Sequence, residues 1–161
     1  NTNCTSATKT TLDSTGNVFS YMSITIGADG LGLISYRDNS NSALKVAHCD
    51  NTNCTSATKT TLDSTGNVGS YVSITIGADG LGLISYYDST NGDLKVAHCD
   101  NTNCTSARKT TLDSTGFVGS STSTTIGADG LGLISYYDNT NKNLKVAHCD
   151  NAFCSPYFRR R

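Results

Sequence analysis

The sequence contains no glutamate, no glutamine and no tryptophan, and only one proline and one methionine. All 13 acidic residues are therefore aspartate. Strong helix formers are depleted while Thr, Ser, Asn, Asp and Gly abound, and no window carries an apolar period of 3.6 residues. Essentially no helix is expected. No apolar run is long enough to cross a bilayer as a helix, so no membrane span is expected. The 12 basic residues nearly balance the acidic ones, for a net charge of −1. That balance excludes the concentrated basic face that a nucleic-acid partner requires. The only basic cluster, Arg159 to Arg161, lies at the last three positions.

What is present is repetition. Residues 1–50, 51–100 and 101–150 are one unit written three times, followed by an atypical tail, 151–161, and the whole is expected to form a single repeat domain. The first two copies agree at 43 of 50 positions. Every motif therefore recurs for one reason, and its recurrence is not independent evidence of a site.

Each unit reads as four strands. "LGLISYYD" (Leu81 to Asp88) is apolar on both faces and is expected to be buried on both. After the turn "STNG" comes "DLKVAHC" (Asp93 to Cys99), then the loop "DNTN" and "CTSATKTTL" (Cys54 to Leu62 in the preceding phase). In "SYVSITIG" (Ser70 to Gly77), Val72, Ile74 and Ile76 alternate with Tyr71, Ser73 and Thr75, the pattern of a strand with one wet face. "ADG" then turns back as a tight hairpin. Four short antiparallel strands in a repeat of about 45–50 residues describe a propeller blade. On this reading "LGLISYYD" lines the channel.

The string "DGLGLISYYDSTNGDLKVAHCDNTNC" (residues 79–104) resembles the tandem β-propeller-type repeats of secreted or surface bacterial proteins, with their "DG…ISYYD…N..LKVA.C" signature. The resemblance covers residues 1–150. It implies an all-β propeller fold and an extracellular or cell-surface location, but no single activity. The Trp-bearing sialidase box is absent.

Seven cysteines in a small polar chain indicate an oxidising compartment. No signal peptide is visible, and export implies a leader lying outside the sequence. "HCDNTNC" places two cysteines five positions apart after a histidine. Across a tight antiparallel turn the paired Cβ atoms can close to disulfide distance. The expected pairs are Cys49–Cys54, Cys99–Cys104 and Cys149–Cys154, each worth about 2 kcal/mol by loop entropy. Cys, Cys and His could also ligate zinc. A structural zinc site needs a fourth ligand, usually from a second element, and the unit supplies none, so no metal or other cofactor is expected. His48, His98 and His148 read as packed or surface residues beside the clamp. Cys4 lacks a partner and becomes a candidate intermolecular cysteine. "NCT" at Asn3, Asn53 and Asn103 fits a glycosylation acceptor.

With each blade begun at the buried strand, the chain holds about three blades' worth of strands, with half a blade at each end. Three blades are too few to close a ring. The split blade is therefore expected to be completed by another chain, as a closed six-bladed dimer or an open filament. Phe153, Pro156, Tyr157 and Phe158 in the tail are the expected assembly residues. Tyr36, Tyr86, Tyr87, Tyr136 and Tyr137 could form a sugar-stacking surface, although core and interblade packing also explain them. Asp88, Asn91 and Asp93 resemble calcium-loop spacing, but the other copies do not repeat the acidic pair. No catalytic motif is present, and the repeated aspartates read as turn residues. The expectation is an extracellular structural or adhesive protein, not an enzyme, that assembles with itself head to tail. The alternative is a glycan-binding propeller lectin.

Overall fold

A computed structural model describes residues 6–156, and every regular element in that span is a β-strand. The first sheet contains β1 (Val18–Ile26), β2 (Gly32–Asp38), β3 (Ala43–Cys49) and β4 (Ala57–Asp63), hydrogen-bonded in that order. The second repeats it fifty residues on with β5 (Val68–Ile76), β6 (Gly82–Asp88), β7 (Asp93–Cys99) and β8 (Ala107–Asp113). The third has three strands, β9 (Val118–Ile126), β10 (Gly132–Asp138) and β11 (Asn143–His148). All neighbours within a sheet are antiparallel. Each sheet is one blade.

The strand order within a blade corrects the expectation drawn from burial. Strands β1, β5 and β9, which carry the alternating pattern, meet one another from blade to blade and so lie innermost. "LGLISYYD" forms the second strand. It is apolar on both faces because it sits mid-sheet between two stacked blades, and stacking hides both sides of a strand wherever it lies relative to the axis. Blade boundaries shift accordingly. Two blades are complete, and among the described residues the third has three strands.

Blades meet through two apolar clusters. Leu33, Leu44 and Val46 of the first blade pack with Val68, Val72 and Ile74 of the second. Leu83, Leu94 and Val96 of the second pack with Val118, Ile134 and Tyr136 of the third. The second joint is the more polar, because Thr122 and Thr124 replace Val72 and Ile74. Both threonine hydroxyls reach the buried Ser85 hydroxyl, at 2.7 and 2.6 Å, and Thr122 also donates to the Tyr71 carbonyl at 2.7 Å. The lost dry face is thus replaced by satisfied hydrogen bonds.

Two connections differ from the sequence reading. "ADG" sits in a wider loop, closed by Gly27 N–H donating to the Leu31 carbonyl, with Gly30 at φ 79°. The cysteine loop is longer as well. Cys49 ends β3, but its ladder partner is Ala57, and Cys54 sits in the loop at φ 50°. The disulfides Cys49–Cys54, Cys99–Cys104 and Cys149–Cys154, with Cα atoms 4.8–4.9 Å apart, clamp turns rather than facing strand residues.

Candidate functional site

The tyrosines divide by position. Tyr36, Tyr86 and Tyr136, proposed above as sugar-stacking residues, are buried in the blade stack. Their hydroxyls donate to Asp13, Asp63 and Asp113 at 2.7–2.8 Å, and a lysine (Lys45, Lys95 or Lys145) salt-bridges the same carboxylate. Burial raises the hydroxyl of Tyr86 far above its ordinary value and that of Tyr136 to about 12. Burial also works against ionisation of Asp63, but hydrogen bonds from Thr65, Tyr86 and Lys95 outweigh it and hold the carboxyl at about 2. The triads at Asp63 and Asp113 join one blade to the next. Tyr86 is fully buried, and Tyr36 and Tyr136 are each 4% exposed.

The second tyrosine of each pair lies elsewhere. Tyr87 and Tyr137 are half-buried, as are Tyr21 and Tyr71 on the inner strands. Tyr71 sits in a bulge, where the register with β6 shifts between Ser70 and Ser73, at φ 52°. A bulky residue at positive φ is uncommon, and a bulge re-aims its side chain. Here it brings Tyr71 to 4.5 Å from Tyr21 across the blade boundary and 6.1 Å from Tyr87 within its own blade, measured between ring centroids. Hydrogen bonding to Tyr71 and burial raise the Tyr21 hydroxyl, while burial chiefly raises that of Tyr87.

The row is broken at each end by a substitution. Arg37 replaces the tyrosine of the first blade. It is buried and bridges to the second blade, donating to the Val68 carbonyl at 2.6 Å, Ser70 Oγ at 3.1 Å and Asn67 Oδ1 at 2.6 Å. In the third blade Ser121 replaces Tyr71, in the same bulge, at φ 53°, and is exposed. The repeat therefore places a serine where a ring would lie beside Tyr71 and Tyr137. Asn139, next along, donates from its amide to Ser120 Oγ at 2.8 Å.

Tyr21, Tyr71 and Ser121 were missed in the sequence reading, where they fell on a wet strand face. The available signal was the change from "SYVSITI" to "SSTSTTI" among nearly identical copies.

The remaining candidates have structural partners. His48, His98 and His148 bond through Nε2 to Asp29, Asp79 and Asp129 at 2.7–2.8 Å, tying β3, β7 and β11 to the inner-strand loops. Asp88 accepts from Asn91 through both carboxylate oxygens, so it caps its turn. Phe153 packs within the chain, 4.9 Å from the His98 ring and beneath the Arg108 guanidinium. Pro156 follows the last disulfide loop. Cys4, Tyr157 and Phe158 lie outside the described residues.

No protein-family model and no curated protein matches the chain. Among solved structures it is similar to a GH43 β-1,3-galactosidase at 12% identity and TM-score 0.61, covering 86% of this chain and 35% of that one. It is also similar to a fucose lectin from Kordia zhangzhouensis in complex with methyl-fucoside, at 15% identity and TM-score 0.50, covering 80% of this chain and 92% of the lectin. An endo-arabinase from Bacteroides thetaiotaomicron matches at 14% identity and TM-score 0.51, covering 86% and 56%. The chain thus spans about a third of the galactosidase and just over half of the arabinase. These likenesses identify the fold as a run of β-propeller blades.

Proposed function

We propose that this chain is an extracellular carbohydrate-binding propeller protein, and that the ligand is a sugar ring seated where Ser121 interrupts the tyrosine row. The observation that carries this reading is the row itself. Half-buried rings at 4.5 and 6.1 Å are followed by one position of the repeat where the ring is missing. Tyrosine faces take the apolar face of a pyranose while a serine hydroxyl and an asparagine amide address its hydroxyls, the usual division of labour in a small-molecule site. Disulfides in every blade fit an oxidising, extracellular setting.

The comparisons support binding of a glycan more than a purely structural filament. The fucose lectin is matched along nearly its whole length, whereas the hydrolases are matched in part. A hydrolase would need two carboxylates facing a substrate. Asp63 and Asp88 do come together around Lys95, at 3.0 and 3.6 Å, but both are buried. A protein whose sole task is to polymerise leaves the tyrosine row without a role.

Saturation-transfer NMR with methyl-fucoside, galactose and arabinose tests the reading. At least one should show transfer to its ring protons, lost in Tyr71→Ala and Tyr137→Ala variants that keep the wild-type melting temperature. Transfer from none of the three, or unchanged transfer in both variants, rejects the site.

A further inference from the structure

The two ends of the blade stack are open in complementary ways. At the trailing end, Leu144 is 79% and Val146 58% exposed, whereas Leu44, Val46, Leu94 and Val96 are fully buried under the next blade. At the leading end, Ile24 is 63% exposed, against 6% for Ile74 one repeat later. Leu12, Val18, Met22, Ile34, Tyr36 and Ala47 line an apolar hollow there. Fifty residues on, their counterparts Leu62, Val68, Val72, Ile84, Tyr86 and Ala97 form the cluster that Leu33, Leu44 and Val46 fill.

Strand pairing shows the same mismatch. Among the described residues strand β11 pairs with β10 alone, while β3 and β7 each carry an outer strand. The sequence of the outer strand β4, "ATKTTLD", is spelled identically at residues 7–13, which lie exposed for the most part and outside any sheet. That segment is nevertheless anchored like β4. Asp13 accepts from Tyr36 at 2.7 Å as Asp63 does from Tyr86 at 2.8 Å. The Leu12 carbonyl accepts from Lys59 at 3.1 Å as that of Leu62 does from Lys109 at 3.0 Å.

We propose that a second copy of this chain occupies these surfaces. Leu133, Leu144 and Val146 of one copy fill the hollow of the next, whose residues 7–13 pair along β11 as an outer strand. Each new joint repeats, in surface and in ladder, the joint between the first and second blades. The interface is heterologous, so it propagates until the rotation closes a ring. Inner-strand residues Gly69 and Gly119 let the backbone approach Leu44 and Leu94, and a Cβ would lie 2.9 and 2.7 Å from their Cα atoms.

Sedimentation velocity of the 161-residue chain over roughly a hundredfold concentration range tests the proposal. Wild type should associate increasingly with concentration. The trailing-face double variant L144D/V146D and the leading-face variant Ile24→Asp should each weaken association by about tenfold or more. Mixed together they retain one intact joint per pair and should give a dimer and nothing larger. All the charged substitutions are at exposed positions, and far-UV circular dichroism verifies folding. Should Ile24→Asp unfold, Met22→Lys repeats the leading-face arm. A wild-type chain that stays monomeric throughout, or variants of either face that associate like wild type, overturns the proposal.

Discussion

Asp63 joins two blades with one side chain. It ends the outer strand of the first blade and meets Tyr86 and Lys95 of the second, at 2.8 and 3.0 Å. Because its folded carboxyl lies at about 2, below the ordinary 3.8, its contribution is fully present above pH 4 and is lost as pH falls through 2. Tyr86 is raised, so its contribution holds below pH 10 and declines as pH rises beyond it. Asp63→Asn should lower stability by about 2 kcal/mol, the scale of a hydrogen bond to a charged group. Thermal melts between pH 2 and 7 should show the variant losing less stability on acidification than wild type. An equal acid dependence would mean that the charge of Asp63 is not what joins the blades. The sequence announced "YY" as a pair with one core and one interblade member. It could not say which tyrosine was buried, because that choice depends on an aspartate 23 positions earlier, outside any local pattern.

At the scale of the element, strands and turns were legible, but their order from the axis was not. Alternation in "SYVSITI" reports one wet face, and in a stack of blades that face belongs to the inner strand. Double-sided burial of "LGLISYYD" reports the middle of a sheet. The bulge that brings Tyr71 into the row is equally invisible in composition, since it costs a positive φ at a tyrosine and only tertiary packing sustains it. Close approach between blades has its own marker in Gly119. Gly119→Ala would set a Cβ 2.7 Å from the Leu94 Cα, and is expected to cost about 1–3 kcal/mol in chemical denaturation. A neutral effect would show that the joint between the second and third blades yields easily. The disulfides act more locally. Cys99→Ser with Cys104→Ser should cost about 2 kcal/mol by loop entropy and leave the blade order intact, as judged by circular dichroism.

The whole molecule is three repetitions of one solution, and its individuality lies in the few positions where the copies disagree. Arg37, Ser121, Thr122 and Thr124 are such positions, and each alters what happens between blades. Arg37 replaces a ring with a bridge, the threonines replace an apolar contact with hydrogen bonds, and Ser121 removes a ring from an aromatic row. Repetition made the fold class readable, while near-identity of the copies drew attention away from the exceptions that define the candidate site. Isothermal titration of wild type and Ser121→Tyr with methyl-fucoside, galactose and arabinose tests the account most directly. The backbone at 121 already has the φ that Tyr71 adopts, so the variant should fold normally and complete the row. Wild type should bind at least one of the sugars, and Ser121→Tyr should bind none. Equal binding by the two proteins, or no heat with any sugar in wild type, would contradict it.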